Sequence, residues 1–144
     1  MTRPRRGLAG ALVAIALLSV APAGAEHEIY YRFTVLGYVK DARGKPMADA
    51  MVEVVRDKTG FTYLGETDTD GFYAVRARLG DESRGEGLTV RRGTSVRHVI
   101  AAFDPANQTD ERGTRVDFTG EHSIERAASF QSTLQTVVGA TSRH

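Results

Sequence analysis

The chain has 144 residues, with 19 lysines and arginines against 18 aspartates and glutamates, and it contains no cysteine. The lack of cysteine excludes disulfides, thiol catalysis and cysteine-bound zinc, so an apolar core has to stabilise the fold. The balanced charge, with Arg91, Arg92 and Arg97 interleaved with acids elsewhere, gives no reason to expect a nucleic-acid partner.

Residues 1–25 have the organisation of a secretory signal peptide. Met1 to Arg6 is basic, and residues 7–20 form an uncharged apolar run shorter than the ~20 residues that cross a bilayer. Ala23-Gly24-Ala25 then places small residues at a signal peptidase site. The sequence predicts cleavage after Ala25 and a periplasmic or secreted protein that does not span the membrane after cleavage. An uncleaved membrane anchor is the alternative.

Seven segments of the remaining chain show the two-residue alternation or the turn-bounded composition of short strands. They are 29–40, 50–56, 61–67, 72–79, 88–92, 95–103 and 115–118. Glycine-containing turns and two polar loops, 80–87 and 104–113, separate them. The regular spacing of strands without intervening helices predicts an all-β fold, a seven-stranded antiparallel Greek-key sandwich of the prealbumin or immunoglobulin type.

The last part of the chain has a different period. Between Ile124 and Gly139 the apolar residues recur at helical spacing, at Ala127, Phe130, Leu134, Val137 and Val138. This pattern predicts a short C-terminal helix that either docks on the sandwich or stays free for a partner. The predicted organisation is therefore a signal peptide at 1–25, a sandwich domain at 26–120 and a tail with a helix at 121–144.

Four short motifs of the sequence carry a family pattern. They are Gly37-Tyr-Val39-Lys-Asp41, Gly44-Lys-Pro46 and Ala50-Met-Val52-Glu-Val54, followed by Thr67-Asp68-Thr-Asp70-Gly71-Phe72-Tyr73. They resemble the carboxypeptidase regulatory-like domain family, a transthyretin-like sandwich, over Leu36 to about Leu79. The resemblance implies a noncatalytic accessory domain of the cell envelope whose partner is an unidentified envelope protein. It is specific for the fold and says little about function.

Candidate metal ligands are few and scattered. Asp68 and Asp70 have the spacing of a calcium loop, but no glutamate follows at the twelfth position, and Asp before Gly71 favours a hairpin turn. His27 near the predicted new N-terminus is a weak copper ligand at most. His98 lies within a strand and is expected to be a packed or edge residue. The sequence therefore predicts no metal site and no cofactor.

No nucleophile elbow, phosphate loop or dinucleotide fingerprint is present, so the sequence predicts no catalytic residues and a protein that is not an enzyme. Carbohydrate binding is the alternative function, because Tyr30, Tyr38, Phe61 and Tyr63 offer aromatic rings on which sugars can stack. The lack of tryptophan counts against it.

An isopeptide crosslink is one way in which a cysteine-free sandwich gains covalent stability. Lys40 is the plausible amine, and Asn107 is the only asparagine of the chain. Asn107 lies in a loop with little apolar content, and Lys40 lies on the polar side of its strand, so neither is expected to be buried. We therefore predict that no crosslink forms.

Overall fold

A computed structural model describes residues 29–142 of the chain. The predicted signal peptide, its cleavage site after Ala25, and His27 lie outside the described residues. Within residues 29–142, no helix is both long enough and apolar enough to cross a membrane.

The described chain forms eight strands and one α-helix. The strands are β1 (Arg32–Lys40), β2 (Met51–Arg56), β3 (Thr62–Glu66), β4 (Phe72–Arg78), β5 (Gly87–Arg92), β6 (Ser95–Ile100), β7 (Gly113–Thr119) and β8 (His122–Glu125), and the helix is α1 (Phe130–Ser142). Single turns of 3-10 helix lie at Ile29–Tyr31, Asp81–Ser83 and Ala127–Ser129.

The strands form two four-stranded sheets that pack face to face. One sheet has the order β4-β1-β7-β8 and the other β3-β2-β5-β6. The prediction of an all-β sandwich is thus confirmed, but two of its details are wrong. The sandwich has eight strands rather than seven, and β1 and β7 run parallel, whereas the other strand pairs of the two sheets are antiparallel.

The core lies between the inner faces of the two sheets, where alternate residues of β2, β4, β5 and β7 are buried. Its largest members are Tyr73, Phe33, Phe118, Leu79 and Leu88. The sandwich is also closed at one side by polar contacts between the edge strands β6 and β8. There the Ser95 hydroxyl donates to the Glu121 carbonyl at 3.1 Å, and the Arg97 guanidinium donates to the carbonyl of Ser123.

Helix α1 docks on the outer face of the β4-β1-β7-β8 sheet. Phe130 is buried against Gly113, where an added Cβ would lie 2.5 Å from the ring. The Arg115 guanidinium donates a 2.8 Å hydrogen bond to the Thr133 hydroxyl, and the Gln131 amide donates a 2.7 Å bond to the Glu111 carbonyl. Of the two alternatives predicted for the C-terminal helix, docked on the sandwich or free for a partner, the structure shows the docked one.

Strand β8 is the strand that the sequence did not predict. The sequence predicts that a helix begins near Ile124, whereas residues His122–Glu125 pair with β7, and α1 begins at Phe130 and runs past Gly139. Four residues show too few alternating positions to indicate a strand from sequence alone, and the helical spacing of the apolar residues that follow favoured a helix there. At the start of the described chain, the predicted strand 29–40 is also shorter than expected, because Ile29–Tyr31 is a 3-10 turn and β1 begins at Arg32.

Candidate functional site

The pairing between β1 and β7 is interrupted at Gly37 and Tyr38. Leu36 pairs with Arg115 and Val39 with Phe118, and the two residues between them are out of the ladder. The Tyr38 backbone N–H donates instead to the Asp117 carboxylate, with a nitrogen to Oδ1 distance of 3.0 Å. Asp117 is therefore fixed to the backbone of the neighbouring strand, at the outer surface of the sheet.

Asp117 is the centre of a cluster of charges. Arg115 donates to its Oδ1 from Nε at 3.0 Å and to its Oδ2 from Nη2 at 2.9 Å, and Arg126 donates to Oδ2 at 3.1 Å. The hydrogen bonds that Arg115 donates to Asp117 raise the pKa of the Arg115 guanidinium, so Arg115 stays charged at any physiological pH. The cluster is a rigid polar feature on the sheet surface.

A groove of about 280 Å³ opens above this cluster, and we call it the Asp117 groove. It is lined by Tyr38, Lys40, Arg115, Asp117, Phe118, Thr119, Ile124, Arg126 and Ser129. The ring of Tyr38 lies 5.2 Å from the Arg115 guanidinium carbon and 5.4 Å from the Phe72 ring. Three cationic side chains and one carboxylate around an aromatic ring can bind a hydroxyl-rich or anionic ligand.

The four aromatic residues expected to carry sugars do not form one surface. Tyr38 lies in the Asp117 groove, whereas Phe61 and Tyr63 pack against each other on the other sheet, with their ring centres 4.9 Å apart. Tyr30 pairs with Tyr31 in the 3-10 turn before β1, at 4.7 Å. Of the four, Tyr38 alone is placed in the groove.

The outer face of the β3-β2-β5-β6 sheet forms a second candidate surface. Four large apolar side chains of this face are exposed, namely Met51 (47%), Leu64 (60%), Val96 (42%) and Ile100 (56%). Glu53 and Arg91 form an ion pair of 2.6 Å in the middle, with Leu64 opposite Glu53 and Val96 opposite Arg91. We call these six residues the apolar sheet face.

The predicted turn at Asp68 is confirmed. Its Oδ1 accepts the backbone N–H groups of Asp70 and Phe72, at 2.9 and 3.0 Å, and Gly71 has a positive φ of 78°. His98 lies on the edge strand β6 and is exposed, with its Nδ1 3.1 Å from the Thr89 hydroxyl. Among residues 29–142, no three His, Asp or Glu side chains are grouped so that they could hold a metal ion.

Lys40 and Asn107 are both exposed, as predicted for residues that do not crosslink. The Asn107 side chain is used within its own loop, where its amide donates to Asp110 at 3.0 Å and its oxygen accepts the backbone N–H of Thr109 at 3.1 Å. The sequence interpretation missed Arg115, Asp117 and Arg126. The alternation of Arg115 and Asp117 with buried residues indicated only a strand surface, and Arg126 fell in the segment predicted as a helix. Their meeting at Asp117 depends on strand β8 and on the interrupted β1–β7 ladder.

No protein-family model matches the chain, and no curated protein matches it. Among solved structures, the chain is similar to the dioxygenase domain of a dioxygenase carbohydrate-binding protein fusion from the cellulolytic bacterium Streptomyces sp. SirexAA-E. The two are 22% identical with a TM-score of 0.40, and the match covers 62% of this chain and 79% of that chain. Function therefore has to be inferred from the surfaces of this chain itself.

Proposed function

We propose that this protein is an exported, noncatalytic accessory domain that binds an envelope protein through the apolar sheet face. The observation that carries the proposal is the difference between the two outer sheet faces. Helix α1 packs on one of them, whereas the other exposes Met51, Leu64, Val96 and Ile100. These exposed apolar side chains surround the Glu53–Arg91 pair on one outer face, and large exposed apolar side chains gathered on one face of a folded domain favour an interaction site.

The chemistry of the face also fits a protein partner better than a small ligand. The face is a sheet surface and not a cavity, and its central Glu53–Arg91 pair is flanked by Leu64 and Val96. A polar pair inside an apolar patch favours a partner with matching apolar residues and a few hydrogen-bonding groups at its centre. The resemblance to carboxypeptidase regulatory-like domains and the two-sheet fold support an accessory role.

Site-specific photo-crosslinking in the exporting cell tests this proposal. A crosslinker at Leu64 or Val96 is expected to give the same discrete adduct, and one at Ala74, exposed on the outer face of the opposite sheet, is expected to give none. Leu64→Asp should abolish the adduct that forms from position 96. The absence of any adduct from the apolar sheet face, or an equal yield from position 74, would overturn the proposal.

A second function, carbohydrate binding, is favoured by the Asp117 groove. Sugar-binding sites combine an aromatic ring, on which the apolar side of a pyranose stacks, with charged groups that hold its hydroxyls. Tyr38 supplies the ring, and Arg126 and Lys40 supply donors at the same groove.

Glycan-array screening of the purified mature protein, followed by calorimetry, tests this second function. Saturable glycan binding is expected to be lost in Tyr38→Ala and kept in Tyr63→Ala, because Tyr63 lies on the other sheet. Binding that is lost in Tyr63→Ala and kept in Tyr38→Ala would move the site to the Phe61–Tyr63 pair. The absence of binding to every glycan would rule the function out.

A further inference from the structure

Asp117, the acid at the centre of the Asp117 groove, has no acceptor site left for a ligand. Its Oδ1 accepts the Tyr38 backbone N–H and the Arg115 Nε–H, each at 3.0 Å. Its Oδ2 accepts from the Arg115 Nη2 at 2.9 Å and from the Arg126 Nε at 3.1 Å. A carboxylate offers about four lone-pair sites, so these four donors fill it. The hydroxyl groups of a bound sugar therefore find no acceptor at Asp117.

Two cations of the groove keep donors for a ligand. The Arg126 side chain is 50% exposed, and among the described residues its Nη1 and Nη2 atoms have no hydrogen-bond partner. Because its Nε bonds to Asp117 in the wall of the groove, the rest of this planar guanidinium lies at the groove as well. Lys40 also lines the groove and is exposed, and its ammonium group forms no ion pair within residues 29–142.

The charges that line the groove do not balance. Lys40, Arg115 and Arg126 are cationic, and among the described residues that line the groove Asp117 alone is acidic. The other polar side chains of the groove carry hydroxyls, which donate as well as accept and so do not select a charge. A neutral sugar leaves the two available cations without an anionic acceptor, whereas a ligand with negative groups supplies one to each.

The two available cations lie at opposite ends of the groove. The Arg126 backbone N–H donates to the Arg115 carbonyl at 2.7 Å, and Lys40 pairs with Thr119. Arg115 and Thr119 are both on β7, and at ~3.3 Å per residue the backbones of the two cations are roughly 13 Å apart along the strands. Tyr38 lies between these two levels. An anionic group bound at Arg126 therefore leaves Lys40 for a second one further along the ligand.

We propose that the Asp117 groove binds an acidic oligosaccharide of at least two sugar units, with one anionic group at Arg126 and another at Lys40. This inference rests on the carbohydrate-binding function proposed for the groove and adds the charge and the minimum length of the ligand. Tyr38 provides the apolar contact for a sugar ring. The anionic groups are carboxylates of uronic acids or sulfate esters, which share the negative charge and the acceptor oxygens that the cations bind.

Calorimetry of the purified protein with trigalacturonate and with its methyl ester tests the charge of the ligand. The two ligands have the same rings, but the ester lacks the negative charges, so it should bind at least about tenfold more weakly. Monomeric galacturonate reaches one end of the groove only and should lose affinity by a similar factor. A sulfated carrageenan oligosaccharide distinguishes the two kinds of anionic group: tighter binding than trigalacturonate assigns the groove to sulfate esters, and weaker binding assigns it to uronic acids.

Variants connect the binding to the two cations. Arg126→Gln and Lys40→Gln should each weaken trigalacturonate binding about tenfold and leave binding of the ester unchanged. Arg126→Lys, which keeps the charge, should retain most of the affinity. Arg84→Gln and Lys58→Gln are the matched controls, since they remove exposed charges that do not line the groove, and they should not change binding.

Two results would overturn the proposal while other outcomes of the glycan screen stand. Equal binding of trigalacturonate and its ester, both lost in Tyr38→Ala, would show a carbohydrate site that does not select acidic ligands. Trigalacturonate binding that persists in Arg126→Gln and Lys40→Gln and disappears at about 0.5 M NaCl would show nonspecific attraction of a polyanion. If no glycan of any charge binds, the carbohydrate-binding function itself fails, and this inference fails with it.

Discussion

The hydroxyl of Tyr73 donates a 2.6 Å hydrogen bond to the carbonyl of Val116, two strands away in the same sheet. The phenol passes over β1 at Gly37, which pairs with Tyr73 and has no side chain on the inner face. The bond satisfies a carbonyl that the interrupted β1–β7 ladder would otherwise leave buried and unpaired. Gly37, Tyr73 and Asp117 thus form one arrangement, with the phenol on the core side and the carboxylate on the groove side.

Removal of the Tyr73 hydroxyl should destabilise the protein without changing its shape. In Tyr73→Phe the Val116 carbonyl loses its donor inside the core, and the free energy of unfolding should fall by about 1–3 kcal/mol. Urea unfolding measures the loss. The exposed Tyr31→Phe is the matched control and should change stability by less than about 0.5 kcal/mol. Equal stability of Tyr73→Phe and the wild type would contradict this role.

A side chain at Gly37 should be far more damaging. An added Cβ would lie 1.9 Å from the Val116 carbonyl oxygen and 2.7 Å from the Val116 carbonyl carbon, and these backbone atoms cannot move aside as the end of a flexible side chain can. Gly37→Ala should therefore lower the free energy of unfolding by at least about 2 kcal/mol. Gly139→Ala in α1, where no atom lies within 4 Å of the added Cβ, should be neutral or stabilising. A well-folded, fully stable Gly37→Ala would show that the strands can separate at this point.

The stability of the protein should fall in acid partly through Glu86. Hydrogen bonds from Arg56 lower the pKa of Glu86 from 4.5 to about 2, and this pair ties the 80–87 loop to β2. The pKa of Glu86 is lower in the folded protein than in the unfolded chain. The Arg56–Glu86 pair therefore contributes fully to stability above pH 4.5, and this contribution is lost as the pH falls from 4.5 to 2.

Denaturant unfolding at several pH values checks the role of Glu86. Glu86→Gln should be less stable than the wild type at pH 7 and should lose less stability between pH 4.5 and 2. The exposed Glu82→Gln should follow the wild-type curve over this range. If the free energy of unfolding falls by the same amount between pH 4.5 and 2 in Glu86→Gln and in the wild type, the Arg56–Glu86 pair does not contribute to the loss of stability in acid.

Phe130 should hold α1 on the sheet. The ring is buried over Gly113, and Phe130→Ala removes this apolar contact between helix and sheet. We expect amide hydrogen exchange in α1 to accelerate by about a hundredfold or more, in line with the ~3 kcal/mol cost of such truncations. Val138→Ala, at an exposed position of the same helix, should leave exchange unchanged. Unaltered exchange in Phe130→Ala would mean that other contacts dock the helix.

The sequence by itself determined the sandwich, most strand positions and the tight turns. Alternation of buried and exposed residues in β2, β4 and β5 depends only on neighbours along the chain, so it is visible as a pattern. The turn at Asp68 is equally local, because the carboxylate caps N–H groups two and four residues ahead.

The tertiary structure alone decided which surfaces stay available. Thr34 and Leu36 lie on the side of β1 that the pattern indicates as polar, yet both are buried in the fold. The ring of Phe130 from α1 packs at Gly113, the residue of β7 that pairs with Thr34. Strand β8 exists because β7 offers it a partner, and Asp117 meets Arg126 for the same reason. Which carboxylate each arginine meets, as in the Arg32–Glu111 pair, likewise follows from packing between segments far apart in the chain.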